Sequence, residues 1–410
     1  MTREAARELS DLGVALLDAG ASVTDVATSL TRAAARHDAG RLDFSVLPEL
    51  VITTEPVSGA TLVAQTQSPP LAFAQAAAVN RLARAVEAGS VPLADITRGL
   101  ARIRAAARSH DGLKWVAGAA LVALGLALLF RCPWWAVVLA FVAGAGVGIV
   151  TRLLERIRSA AAIAPFLTAC VSTLAVGATA AALGTGPVPL YAVCAPVAIL
   201  VPGAVITKAL LELTATDIVT GSARLSYGLI VLGFMAAGIA AGGTLTGLRV
   251  DPHSVSLVGT AAQATGLGSG WQQLPPVWCS WLGVVVLALG VGIAFGSGLA
   301  LNLVNLVVMT GAYATLTALT PLLGSVTATG ATAAALFVAA RLIEGLTLAV
   351  PATVSFQPAF LLLVPGTVGL VSLAAFDPAE VVAALLTFVS LCIGTKIGEA
   401  VSELVVHRRA

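Results

Sequence analysis

Charge is what this 410-residue chain lacks most: only 11% of its residues are Asp, Glu, Lys or Arg, against about 25% in an ordinary soluble domain. That deficit excludes a disordered, collagenous or nucleic-acid-binding class and argues against a soluble enzyme. Lysine occurs only as Lys114, Lys208 and Lys396, and histidine only as His37, His110, His253 and His407. The low lysine count beside 20 arginines suggests a GC-rich bacterial genome. The five cysteines (Cys132, Cys170, Cys194, Cys279 and Cys392) form no CxxC and keep no histidine beside them. This excludes a zinc site or disulfide framework, and no metal or cofactor is expected. Cys132 and Cys279 fall near one face of the expected body and read as packed small apolar residues.

Apolar residues make up 58% of the chain, with a mean hydropathy of +0.95. The charges that exist are unevenly placed: residues 1–114 hold 12 of the 23 Lys and Arg and 12 of the 21 Asp and Glu. A soluble-looking segment of domain size therefore precedes a long hydrophobic body. Met1-Thr-Arg-Glu opens onto a charged helix with no apolar signal region, so the first domain is expected to stay cytoplasmic.

In that domain (1–112) Leu9, Leu12 and Leu16 share a helix face, and Gly20 stands at the position of a C′ glycine. Ser22-Val-Thr-Asp25 reads as a capping box opening a second helix. Two β-prone stretches, 46–54 and 61–65, flank the Pro56–Gly59 turn. A third helix is expected from Pro70 to about Ala88, and a fourth over about 93–108. The expected unit is α+β. It shows no nucleophile, base and orienter in combination, so a regulatory or gating role is favoured over catalysis.

Ten apolar spans follow, at about 115–130, 134–151, 160–183, 188–209, 223–246, 277–295, 299–318, 325–342, 352–376 and 381–398, each near the roughly 20 residues a bilayer crossing needs. The fold class predicted is membrane all-α: five-helix repeats over 113–248 and 277–410, joined by an extracytoplasmic loop (249–276). Lys and Arg collect at one end of the spans (Arg104, Arg108, Lys114, Arg152, Arg156, Arg158, Lys208, Arg224, Arg341, Lys396, Arg408 and Arg409), while only Arg131 and Arg249 fall at the other. Both termini are therefore expected inside. Trp134, Trp135, Trp271, Trp278 and Trp281 would lie at the outer interface and Trp115 at the inner one. The pairs Gly144/Gly148, Gly238/Gly242 and Gly292/Gly296 suit close helix packing, within one chain or between the protomers of a homo-oligomer.

Leu-Val-Pro-Gly occurs twice, at 200–203 and 363–366, an offset of 163 residues, each time in the fourth of five spans. Five is odd, so the second copy would enter the membrane inverted. Pro202 and Pro365 remove an amide bond, and Gly203 and Gly366 relax the backbone beside them. Freed backbone groups cannot face lipid, so two broken helices are expected to shape a central site. Thr207, Lys208 and Thr367 follow the breaks as substrate-binding candidates. Glu212 and Asp217 are the proton-coupling candidates. Lys208 and Glu212, four apart on one face, could also form a plain internal pair.

Leu12–Ala21, Val79-Asn-Arg-Leu82, the run from Val201-Pro-Gly through Lys208, Glu212, Asp217 and Gly221 to Ala223-Arg-Leu225, and Pro358–Leu373 together resemble the threonine/serine exporter family. The resemblance implies a cytoplasmic domain, ten spans and proton-motive-force-driven export of threonine and serine from a bacterial inner membrane. Lys208 and Glu212 stand where many relatives have Asn and Asp. The partners implied are a small amino acid, protons and the bilayer; nucleic acid is not one. Some relatives are linked to dicarboxylate export, so a dicarboxylate exporter is the alternative the resemblance implies; a channel and a transporter with a regulatory hydrolase-like domain are the alternatives from the residues.

Overall fold

The computed structural model describes residues 3–66, 71–106, 111–157, 161–251, 269–347, 359, 362–363 and 378–407. An amino-terminal unit is built from α1 (Arg3–Asp18), α2 (Val23–Arg36), strands β1 (Asp43–Leu47), β2 (Leu50–Thr54) and β3 (Thr61–Gln65), α3 (Phe73–Glu87) and α4 (Ile96–Ala105). The helices cover one face of an antiparallel β1-β2-β3 sheet. Leu9, Leu12, Val26, Leu30, Val51 and Ile96 are fully buried between them. The stretch expected as one strand over 46–54 is two. Pro48 cannot donate to a ladder, and the chain reverses there so that Leu47 pairs with Leu50. The third helix begins at Phe73 rather than Pro70.

The remaining helices are α5 (Asp111–Leu129), α6 (Trp134–Leu154), α7 (Ala164–Leu183), α8 (Leu190–Cys194), continued by a 3₁₀ turn (Ala195–Leu200), α9 (Gly203–Thr214), α10 (Ile218–Thr246), α11 (Trp278–Ala294), α12 (Leu299–Thr347) and α13 (Pro378–His407). Among the described residues six helices are long and apolar enough to cross a membrane, or seven with α8–α9 counted as one bent span. The chain is a multi-pass membrane protein. The 17-residue α11 is shorter than any of those six. The spans expected at 299–318 and 325–342 form the single element α12, but it is broken: Gly324 has φ 75° and ψ 160°, and Pro321 precedes it. At 1.5 Å per residue an unbroken helix of this length would reach about 70 Å, far beyond the ~30 Å hydrocarbon core. The span expected at 352–376 lies almost wholly outside the described residues, as does loop segment 252–268.

Glycine sets how the helices meet. A Cβ on Gly118 would lie 2.6 Å from the Ala294 amide, on Gly125 2.6 Å from the Leu287 amide, and on Gly290 2.7 Å from the Val122 amide. Numbers rise along α5 as they fall along α11, so these two helices pack antiparallel, backbone to backbone. Gly238 and Gly242 of α10 sit against Phe166 and Cys170 of α7, and Gly177 against Thr246, so α7 and α10 run parallel. Gly330 of α12 meets Ser390 and Gly394 of α13, and Gly398 meets Ala334, so that pair is parallel too. Gly144 and Gly148 fit against Ala119, Ala123 and Val116 of α5. Gly296 is not a helix-face residue: it stands past the end of α11 with φ 68°, beside Ala72. Cys132 and Cys279 are both free and buried.

Candidate functional site

The helix expected to break does so. The axes of Leu190–Leu200 and Gly203–Thr214 differ by 72°. Pro202 (φ −77°, ψ 41°) leaves helical geometry, its carbonyl accepts from Ile206 at 3.0 Å, and Gly203 opens α9. The amides of the first turn of α9 have no intrahelical acceptor, as at any helix start. Every residue from Leu190 to Ile199 is buried, as are Val201 and Gly203, with Leu200 and Pro202 half-buried, so the break lies within the packed body. Thr207, one turn on, is buried and donates its hydroxyl to the Gly203 carbonyl at 2.9 Å. That bond uses the hydroxyl proton and leaves its lone pairs as acceptors.

The polar end of α9 does not pair internally as its i,i+4 spacing allowed. Glu212 Oε1 takes Arg224 Nη1 of α10 at 2.8 Å, with the Glu212 side chain only 1% exposed and Arg224 17%. Glu212 Oε2 is buried and, among the described residues, has no hydrogen-bond partner. Lys208 Nζ instead donates to the Gly20 carbonyl of the amino-terminal unit at 2.5 Å. Asp217 Oδ2 accepts from Thr24 Oγ1 at 2.5 Å. Between Glu212 and Asp217 the chain turns through Thr216 at φ 69°, a left-handed conformation in which a β-branched residue is strained. So Lys208, Glu212 and Asp217 do gather at one place, at the junction with residues 18–24. Pro202 and Gly203 lie more than a turn of α9 before Lys208, and Thr207 directly precedes it. Pro365, Gly366 and Thr367 lie outside the described residues.

Gly20 and Thr24 had no sequence signal pointing to α9, and Arg224 was recognisable only as a nearby charge. Other buried polar groups were also missed. Ser172 and Thr173 of α7, Asn305 and Thr332 of α12 are buried, and among the described residues their side-chain polar atoms find no partner. Asn305 is fully buried with both amide atoms unsatisfied. Polar groups left open inside a lipid-bounded body mark places where water or a substrate is accepted. A separate space of about 850 Å³ opens between α9–α10 and α13, lined by residues such as Ile206, Leu229, Phe388 and Ile393, with Lys396 at one end. Its walls are almost wholly apolar and suit a hydrocarbon surface better than a zwitterion. Lys396 is occupied by Glu399 at 2.9 Å.

No curated protein and no solved structure is significantly similar to the chain. The ThrE family model, described as a putative threonine/serine exporter, matches residues 8–246. That stretch is more than half of the chain, and it contains the α1–α2 turn, the broken helix and the Glu212–Arg224 pair together. The chain belongs to the threonine/serine exporter family.

Proposed function

We propose that this protein is a secondary exporter of small amino acids, with threonine and serine as its first substrates. Export would run against proton entry across a bacterial inner membrane, by alternating access of two inverted five-helix halves. The observation that carries the reading is the 72° break at Pro202–Gly203, buried inside the stretch matched by the family. A half-helix amino end carries partial positive charge and unpaired amides, which suit a substrate carboxylate. Thr207 supplies a hydroxyl close by, and Lys208 a cation one residue on. Pro365, Gly366 and Thr367 are proposed as the matching elements of the second half on sequence alone.

Helix directions support the inverted arrangement. The first helices of the two halves, α5 and α11, run antiparallel, while the third and fifth spans of each half pack parallel through glycine. Two copies of one five-span unit inserted in opposite senses have these relations. Charge supports the orientation. Lys114, Arg152, Lys208, Arg224, Arg341 and Lys396 lie at the end of the body that carries the amino-terminal unit, so that end is proposed to be cytoplasmic.

Glu212 is proposed as the proton-coupling group, with Asp217 at its side. A carboxylate at 1% exposure, held by Arg224 and the Val23 amide and with one oxygen unpartnered among the described residues, has a use for a proton that a solvated carboxylate lacks. The test is counterflow in liposomes with threonine, serine, succinate and lysine, with and without an imposed pH gradient. Threonine and serine uptake that the gradient stimulates is expected, and Glu212→Gln should abolish that stimulation. Succinate exchange without amino-acid exchange, or gradient dependence intact in Glu212→Gln, would overturn the assignment.

A further inference from the structure

We infer that the amino-terminal unit is the inner gate of the transport path, and that the α1–α2 turn is its latch on α9. This deepens the exporter reading and rests on it. Helix α1 ends in a Schellman arrangement: the Gly20 amide bonds the Leu17 carbonyl at 2.9 Å, and the Ala21 amide bonds that of Leu16 at 3.0 Å. Gly20 adopts φ 84°, so its own carbonyl is turned outward, to the Lys208 ammonium. Two residues on, Ser22 caps α2 through the Asp25 amide at 3.0 Å. Helix α2 then points its amino end at α9 and α10: the Val23 amide lies against the Glu212 carboxylate, and Thr24 donates to Asp217. The negative end of one helix thus meets the cation, and the positive end of the next meets the two anions.

A second clasp holds the other side of the unit. The first amides of α3, Phe73 and Ala74, donate to the Phe295 and Gly296 carbonyls at the end of α11 at 2.9 and 3.3 Å. The Phe73 and Phe295 rings stack with centroids 5.1 Å apart. One rigid unit is therefore pinned to a half-helix of the first repeat and to the opening helix of the second. Alternating access requires those two helices to move relative to each other on the loading side. While both clasps are made, they cannot. The docked arrangement is the inner-closed state, and the unit must release at least one clasp before an amino acid is loaded. Lys208, Glu212 and Asp217 then have two tasks in turn: they hold the latch when the gate is shut and face the open path when it is released.

The test locks the second clasp, away from the proposed substrate and proton groups. A Cβ built on Gly296 lies 3.0 Å from the Ala72 Cβ, closer than the roughly 3.5–4.5 Å a disulfide spans, so bridging moves the end of α11 out by about 0.5 Å, and the Gly296→Cys single variant carries the strain of a side chain at φ 68°. Ala72→Cys/Gly296→Cys is made in a background with the five native cysteines replaced, reconstituted, and compared oxidised and reduced, with each single variant as a control. Oxidation should lower threonine and serine counterflow at least about tenfold, as expected when a gating motion is blocked, and a reductant should restore it. Amide exchange over 203–214, read on the same samples without any substrate, should slow by about tenfold or more on oxidation. Counterflow that survives oxidation, or exchange that does not change, would overturn the gate. Slowed exchange in a protein that moves no amino acid even when reduced would uphold the docking motion and sink the exporter reading, so the two failures are distinguishable.

Discussion

Replacing Arg224 by methionine tests the centre of the site most directly. Methionine keeps the apolar stem and removes only the cation that holds Glu212. Glu212 would then be a carboxylate at 1% exposure with no counter-ion at 2.8 Å. Breaking a buried pair from one side costs about 3–5 kcal/mol, because the remaining charge has lost its water and its partner. Unfolding entropy of about 2.1 cal/mol/K per residue implies roughly 0.9 kcal/mol/K for a chain of this length, so the loss corresponds to a Tm lower by about 4–6 °C. The six tryptophans make intrinsic-fluorescence melting in detergent a suitable assay. The double variant Arg224→Met/Glu212→Gln removes the stranded charge and should recover at least half of the loss. An Arg224→Met protein melting within about a degree of wild type would refute the argument. So would a double variant whose loss is the sum of the singles, since groups in direct contact should couple.

Three further outcomes are expected. Gly125→Ala places a methyl 2.6 Å from the Leu287 amide and 2.8 Å from the Gly283 carbonyl, and should destabilise by about 1–3 kcal/mol; Gly146→Ala, with open space around it, should be neutral or gain up to about 1 kcal/mol, and equal melting of the two would contradict the seam. Thr216→Gly relieves the left-handed strain at the α9–α10 turn, so its Tm should be no lower than wild type, the relief being about 1–2 kcal/mol; a clear drop would show that the threonine is not strained there. Burial holds the Asp18 carboxyl above its ordinary value, although Arg104 pulls it down. A carboxyl raised in the folded state opposes folding while ionised, so stability should rise as pH falls through its folded value toward the unfolded value near 3.9. Wild type should therefore gain on Asp18→Asn between about pH 7 and pH 4, and a pH-independent difference in Tm would exclude that shift.

Much of this protein could be read locally. The Ser22 cap, the Gly20 stop and the break at Pro202 each follow from a few neighbouring residues, because the backbone groups they serve are local. The limits of that reading are equally physical. Lys208 and Glu212 share a helix face, yet each takes a partner on another element: Gly20, 188 residues away, and Arg224, 12 away. Periodicity reports which face of a helix is polar and carries no record of what lies against it. The capping preference of Ser22 marked the start of α2 but not that this start would meet two carboxylates. Asn305 was invisible for a related reason, since one amide in an apolar run resembles a helix-end residue until its burial is known. Pro48 was the local signal for dividing the first β stretch, and only the register makes its effect plain.

The α5–α11 seam has a consequence for how the polypeptide could be divided. Along it α5 and α11 approach main chain to main chain at Gly118, Gly125, Gly283 and Gly290, with Leu126, Leu129 and Leu287 buried beside them. Such a surface is a close-packed contact that admits no added side chain. It is also complete without the connecting peptide. Two separately translated fragments, severed between α10 and α11, would still present that matching groove to each other, so dividing the gene there should yield two pieces that co-purify.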